Sequence, residues 1–156
     1  MALVTVHAMA RWADVEADVP EFAASVRRAF DAGTNKTMAT LRADGSPRIS
    51  GTELRFAGGE ATLGMMHGSR KRQDVRHDPR VAIHSPTLEP PTGSLGEGDA
   101  KLAGVLVDAD PERRGDAPES GAFRLEVTEV VLTTVEDGQL VILWWRPGTG
   151  LQERRR

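Results

Sequence analysis

The chain has 156 residues, a formal net charge of −3 and no cysteine. That length fits a single domain over 1–156, and the charge is ordinary for a globular protein and too acidic to coat nucleic acid. The missing cysteine excludes disulfides, thiol nucleophiles and thiolate metal sites, and no apolar run approaches the ~18 residues of a membrane span.

The segment Met1–Trp12 lacks the basic head and apolar block of a signal peptide, which makes the cytoplasm the expected location. Asp18 as cap, Pro20 in the first turn and Gly33 at the end predict a helix, with Phe22, Val26, Ala29 and Phe30 on one face. From Thr34 onward the period changes to two, and Lys36 to Ala43 alternates. Asp44-Gly45 is a strong hairpin signal, and Gly58-Gly59 marks a second tight turn, so three strands in a meander are expected. The middle strand, about Ser46 to Phe56, changes apolar phase: Ile49 and Gly51 share one face, Leu54 and Phe56 the other. Either a bulge near Gly51 or a first half that faces something polar explains the change.

Ser69 to His77 reads as a short helix stopped by Asp78-Pro79, and Arg80 to Ser85 as the next strand. A loop rich in Pro and Gly is expected over 86–98 and a second, polar loop over 108–121, on either side of a strand from Asp99 to Val107. Phe123, Leu125 and Val127 alternate with polar residues. Leu140 to Trp145 is apolar at every position, which predicts a strand buried on both faces and points to a subunit interface. Arg154 to Arg156 reads as a solvated tail, and the first residues, His7 included, as loose. The sum is a mainly β fold: six or seven antiparallel strands in a small barrel, with a leading helix and a short crossing helix.

The chemistry concentrates in His67-Gly68-Ser69-Arg70-Lys71-Arg72, where a strand turns on a glycine into a helix that Ser69 can cap. Three cations in the first turn of a helix oppose its dipole, each by about 0.3–1 kcal/mol, unless an anion sits there. A phosphate held by helix amides, Arg and Lys is one reading; a solvated basic turn is the other. The four histidines show no metal-ligand spacing, and no metal site is expected.

The ordered set "ATLRADGSPRIS", "GSRK", "DPRVAIH" and "GDAKLAGVLVDA" resembles the pyridoxamine 5′-phosphate oxidase-like flavin-binding split barrels over Thr34 to Val107. The resemblance implies a homodimer with FMN in a groove between the subunits. It assigns Ser69, Arg70 and Lys71 to the cofactor phosphate, Arg48 and Ser50 to further phosphate and ring contacts, and Met65 and Met66 to the ribityl chain and ring. A C-terminal tryptophan, Trp144 or Trp145 (Trp145 being the choice), would lie near the partner's flavin. Met65 stands where the family often has Thr, and Asp99 near a Gln of the oxidases proper.

A flavin carries its own redox chemistry, so no catalytic dyad is required, and none is identified. The implied function is an FMN-dependent oxidoreductase acting on a small molecule, with no nucleic-acid or membrane partner. Two alternatives share the fold. One is a reductase using the deazaflavin F420, whose acidic tail would suit Arg70, Lys71, Arg72 and Arg76; the other is a flavin- or haem-binding module without turnover.

Overall fold

In a computed structural model, residues 8–89, 98–109 and 120–156 are described. His7 and the middles of both expected loops lie outside them. The described residues form three helices and nine strands: α1 (Trp12–Asp18), α2 (Pro20–Asp31), β1 (Lys36–Leu41), β2 (Pro47–Thr52), β3 (Leu54–Ala57), β4 (Glu60–Met66), α3 (Arg70–His77), β5 (Arg80–His84), β6 (Asp99–Asp108), β7 (Ser120–Glu136), β8 (Gln139–Arg146) and β9 (Gly150–Arg155).

One antiparallel sheet runs in the order β2-β1-β5-β6-β7-β4-β3, with β8 added on β7 and β9 on β8. The two ends of that order, β2 and β3, are consecutive in the chain and separated only by Glu53. The chain thus crosses the open seam of a barrel that hydrogen bonds do not close. This corrects the expected meander. β2 pairs with β1 and β3 pairs with β4, so the second predicted strand is two strands on opposite sides of the seam.

The phase change in that segment is also resolved. No bulge occurs at Gly51: Thr52, Leu54 and Phe56 are all buried, while Ile49 is 73% exposed. The inward face of β2 is therefore polar, made of Arg48, Ser50 and Thr52. A bulge does occur between Ala103 and Gly104, where β6 pairs with β7.

The core lies between the inner face of the sheet and the two leading helices. Phe22, Val26, Ala29 and Phe30 are buried as the 3.6-residue spacing predicts. Phe56 packs on Trp12 with centroids 4.5 Å apart and edge-on to Phe30 at 5.7 Å, pairs worth about 0.5–1.5 kcal/mol each beyond area burial. Helix α1 precedes the predicted helix and packs beside it. Its first turn is closed by the Arg11 N–H donating to Asp14 Oδ2 at 2.7 Å. Asp18 ends α1 and does not cap α2; its Oδ2 accepts a hydrogen bond from Trp145 Nε1 at 2.6 Å.

Two features at the C-terminal end differ from expectation. Residues Gly150–Arg155 form β9, an exposed strand paired with β8 that takes in Arg154 and Arg155 of the predicted tail. On β8 only one face is fully packed: Val141 and Trp145 are buried, whereas Ile142 and Trp144 are half-buried and Leu140 is exposed. Their register partners on β7, Val131 and Val135, extend the same uncovered apolar face.

Candidate functional site

Because β2 leaves one side of the seam and β4 enters on the other, a groove opens between them, with the start of α3 at its end. Its volume is about 580 Å³, within the range of small-molecule sites. Lys71, Ser69 and Met66 line it, together with Gly51 on β2, Gly64 on β4 and Ala122 on β7. The last three make a floor with almost no side chain. Neither Gly51 nor Gly64 has a positive φ, and the nearest atom to a Cβ would be the Gly121 carbonyl, 3.9 Å from Gly64. The backbone does not demand glycine at either place. What their absence of side chains does is leave a flat, open surface, as strand glycines do where another group must approach closely.

The polar end of the groove is built by α3. Ser69 takes the N-cap position with extended φ and ψ of −64° and 144°, yet its side chain makes no cap bond. Its Oγ is buried without a partner, as are Thr52 Oγ1 and Ser50 Oγ. An unmade bond of this kind costs about 1–3 kcal/mol, which a bound acceptor or donor would recover. Lys71 Nζ donates to the Gly51 carbonyl at 2.6 Å, and an ammonium has two further protons to give. Glu53 and Arg55 stand further along the same groove, 3.8 Å apart as a loose ion pair.

The other predicted residues separate into distinct places. Arg48 is engaged away from the groove, donating from Nε to Asp74 Oδ2 at 2.7 Å, where Thr40 Oγ1 also donates at 2.7 Å. Burial pushes the Asp74 carboxyl up, but these two hydrogen bonds and the Arg48 and Arg42 charges outweigh it and hold the carboxyl below the usual range. Arg70 projects into a different cavity from Lys71, the one beside the β1–β2 turn. Arg72 Nη1 donates to His67 Nδ1 at 3.3 Å, and Arg76 is exposed on the helix.

Met65 and Trp145, expected at the cofactor, are inside the core at 2% and 3% exposure. Strand alternation is the reason. Met66 takes the groove-facing position at 77% exposure, and Trp144 takes the uncovered face of β8. Asp99 is exposed at the start of β6, opposite Thr133, and is not among the groove's lining residues. Sequence reasoning missed the floor. Gly51 and Gly64, two glycines in strand interiors, were the available signal.

No family model and no curated protein sequence matches the chain. Solved structures do match it. A pyridoxamine 5′-phosphate oxidase-related, FMN-binding protein from Nostoc punctiforme is 12% identical, with 88% of this chain and 95% of that one covered at a TM-score of 0.63. The chain has the pyridoxamine 5′-phosphate oxidase-like fold. PhzG from Burkholderia lata, solved with tetrahydrophenazine-1-carboxylic acid, shares the fold at 11% identity, 88% coverage of both chains and a TM-score of 0.64. So does a heme-binding protein from Mycobacterium smegmatis, at 22% identity and a TM-score of 0.51, covering 84% of this chain and 57% of that one. Identities this low establish the fold, and the groove at its seam is read on its own residues.

Proposed function

We propose that the groove at the seam holds FMN and that the protein is a flavin-dependent oxidoreductase acting on a small molecule. The observation that carries this reading is the joining, in one groove, of an anion-binding end and a floor without side chains. Lys71 and the unpartnered Ser69 hydroxyl would hold the cofactor phosphate beside the free amides of the first turn of α3. Gly51, Gly64 and Ala122 would let a flat ring system lie against backbone, and Met66 would pack on its edge. Thr52 supplies a second buried hydroxyl from the same groove. Bound flavin would supply hydride and electron transfer, and the chain's residues would bind it, orient it and shield it from water.

Arg48 contributes by position. Tied to Asp74, it anchors α3 to the β1–β2 hairpin and so fixes where Ser69 and Lys71 stand. A second copy of the chain is the proposed cover for the groove. The uncovered apolar face of Val131, Val135, Leu140, Ile142 and Trp144 supports a homodimer, since one barrel leaves it exposed or half-exposed.

Titrating FMN, riboflavin and F420 into the purified protein tests the reading. FMN should bind, and Lys71→Ala should weaken it by about 1.5–3 kcal/mol, on the order of 10- to 100-fold, the scale of a charge-assisted bond. Riboflavin, which has no phosphate, should be insensitive to Lys71→Ala. Failure of FMN to bind, or equal sensitivity of both ligands, would overturn the assignment. Tighter binding of F420 than of FMN would replace it with the deazaflavin reductase reading.

A further inference from the structure

Helix α3 touches both sides of the open seam. Its first turn carries the polar end of the groove, while the floor belongs to strands on either side. Toward β2 the helix is tied by Lys71 to the Gly51 carbonyl and by Asp74 to Arg48. Toward β4 and β7 the side chain that reaches across is Arg72. We propose that Arg72 is a positioning residue for the groove: it sets the span between the anion-binding turn and the floor while contacting neither phosphate nor ring.

The surroundings of one guanidinium support this. Arg72 Nη1 donates to His67 Nδ1, one residue past the end of β4, at 3.3 Å. The group lies against the bare side of Gly121 on β7, where a Cβ would stand 3.1 Å from Nη2 and 3.3 Å from Cζ. Gly121 has no positive φ, so its backbone does not demand glycine; room for the guanidinium does. Nε is buried without a hydrogen-bond partner, so the plane is held at that edge by fit and not by a bond. Arg72 itself is not among the residues that line the groove.

Gly121 also borders the floor. Its carbonyl oxygen is the nearest atom to the bare side of Gly64, and the next residue, Ala122, pairs with Gly64 and is itself floor. Only residues 67–69 link β4 to α3, and Gly68 turns there with a φ of 76°, which leaves the seat of the helix to side-chain contacts. A flat guanidinium can lie on backbone in this way, and an ammonium cannot. The inference rests on the flavin reading above. FMN has a fixed reach from phosphate to ring, so a shift of α3 against the floor penalises a ligand that uses both ends. Riboflavin, using the floor alone, is indifferent to that shift.

Titrating FMN and riboflavin into Arg72→Lys and Arg72→Ala decides the matter. Arg72→Lys keeps the charge and loses the plane; it should weaken FMN at least about 5-fold, as Arg72→Ala does, with riboflavin unchanged in both. Gly121→Ala, which keeps the arginine and crowds its guanidinium, should shift FMN in the same direction, and should cost nothing further once Arg72 is alanine. That variant carries the test if the arginine variants fail to fold. Full FMN affinity in Arg72→Lys would overturn the proposal, because charge alone would then suffice. So would an equal loss for riboflavin, or additive losses in the double variant. Failure of the flavin reading shows in the wild type, which would then bind no FMN and remove both; failure of this proposal shows only in the variants.

Discussion

Arg70 and Lys71 are adjacent, yet about 100° of helical rotation sends them into different cavities beside α3. A run of three cations is thereby divided: Lys71 to the groove at the seam, Arg70 to the cavity beside the turn, and Arg72 to His67. The residue that makes this division stable is Asp74. Its folded carboxyl lies below its unfolded value near 3.9, so its stabilising effect is fully present above about pH 4 and lost as the pH falls through the lowered folded value. Asp74→Asn leaves the Arg48 guanidinium without its counterion and weakens the Thr40 acceptor. At pH 7 it should cost about 1–3 kcal/mol of stability. The gap between wild type and variant should be narrower at pH 3 than at pH 7, because below about pH 4 wild type begins to lose the same contribution. Urea unfolding at both pH values measures it; a gap that widened in acid would contradict the assignment.

Among the elements, the motifs that resemble a flavin-binding family divide into those that build the site and those that build its frame. In the Asp-Pro-Arg stretch after α3, the Asp78 N–H donates to the Asp74 carbonyl at 2.7 Å, and its carboxylate accepts from Arg80 Nε and Nη2 at 2.9 and 2.6 Å. This ends the helix and starts β5, a structural task. Gly104, the last residue of the Asp-Ala-Lys-Leu-Ala-Gly stretch, sits at the bulge where β6 meets β7. A Cβ there would collide with the Glu126 carbonyl oxygen, and backbone cannot swing aside as a side chain can. Gly104→Ala should therefore destabilise the fold by about 2–3 kcal/mol without touching the groove. Thermal unfolding should show the loss, while flavin affinity of the folded fraction stays the same. At Gly64 the opposite pattern is expected. A Cβ meets nothing closer than 3.9 Å, so Gly64→Val should leave stability nearly unchanged while it fills the groove floor and lowers flavin affinity at least about 10-fold.

At the level of the whole molecule, the barrel leaves one apolar sheet face uncovered, and Ile142 lies in the middle of it on β8. Ile142 is half-buried and faces away from the core, so a charge there is compatible with the monomer fold and incompatible with an apolar interface. Ile142→Asp should give a folded monomer with reduced flavin affinity, even with Lys71 intact. Sedimentation of the flavin-loaded protein checks this: a wild-type monomer with full flavin content would remove the need for a second copy. By contrast, Val141→Asp on the buried face should unfold the protein, because an unpaired charge in that core has no partner.

Read as sequence, the chain already determined its mainly β class, the α2 face, the Asp44-Gly45 turn and the short basic helix after His67. Those depend on neighbours a few residues apart, where periodicity and turn chemistry act directly. The resemblance in its motifs also anticipated the fold. Tertiary structure decided the rest. That Glu53 divides one apparent strand between the two edges of a barrel follows from pairing with β1 and β4, which local alternation cannot encode. Whether Met65 or Met66 faces the groove, and Trp145 or Trp144 the outside, turns on a one-residue phase that only the assembled sheet fixes. The commitment of Arg48 to Asp74 arises from a contact between residues 26 apart in sequence, because charges pair with whatever the fold brings within reach.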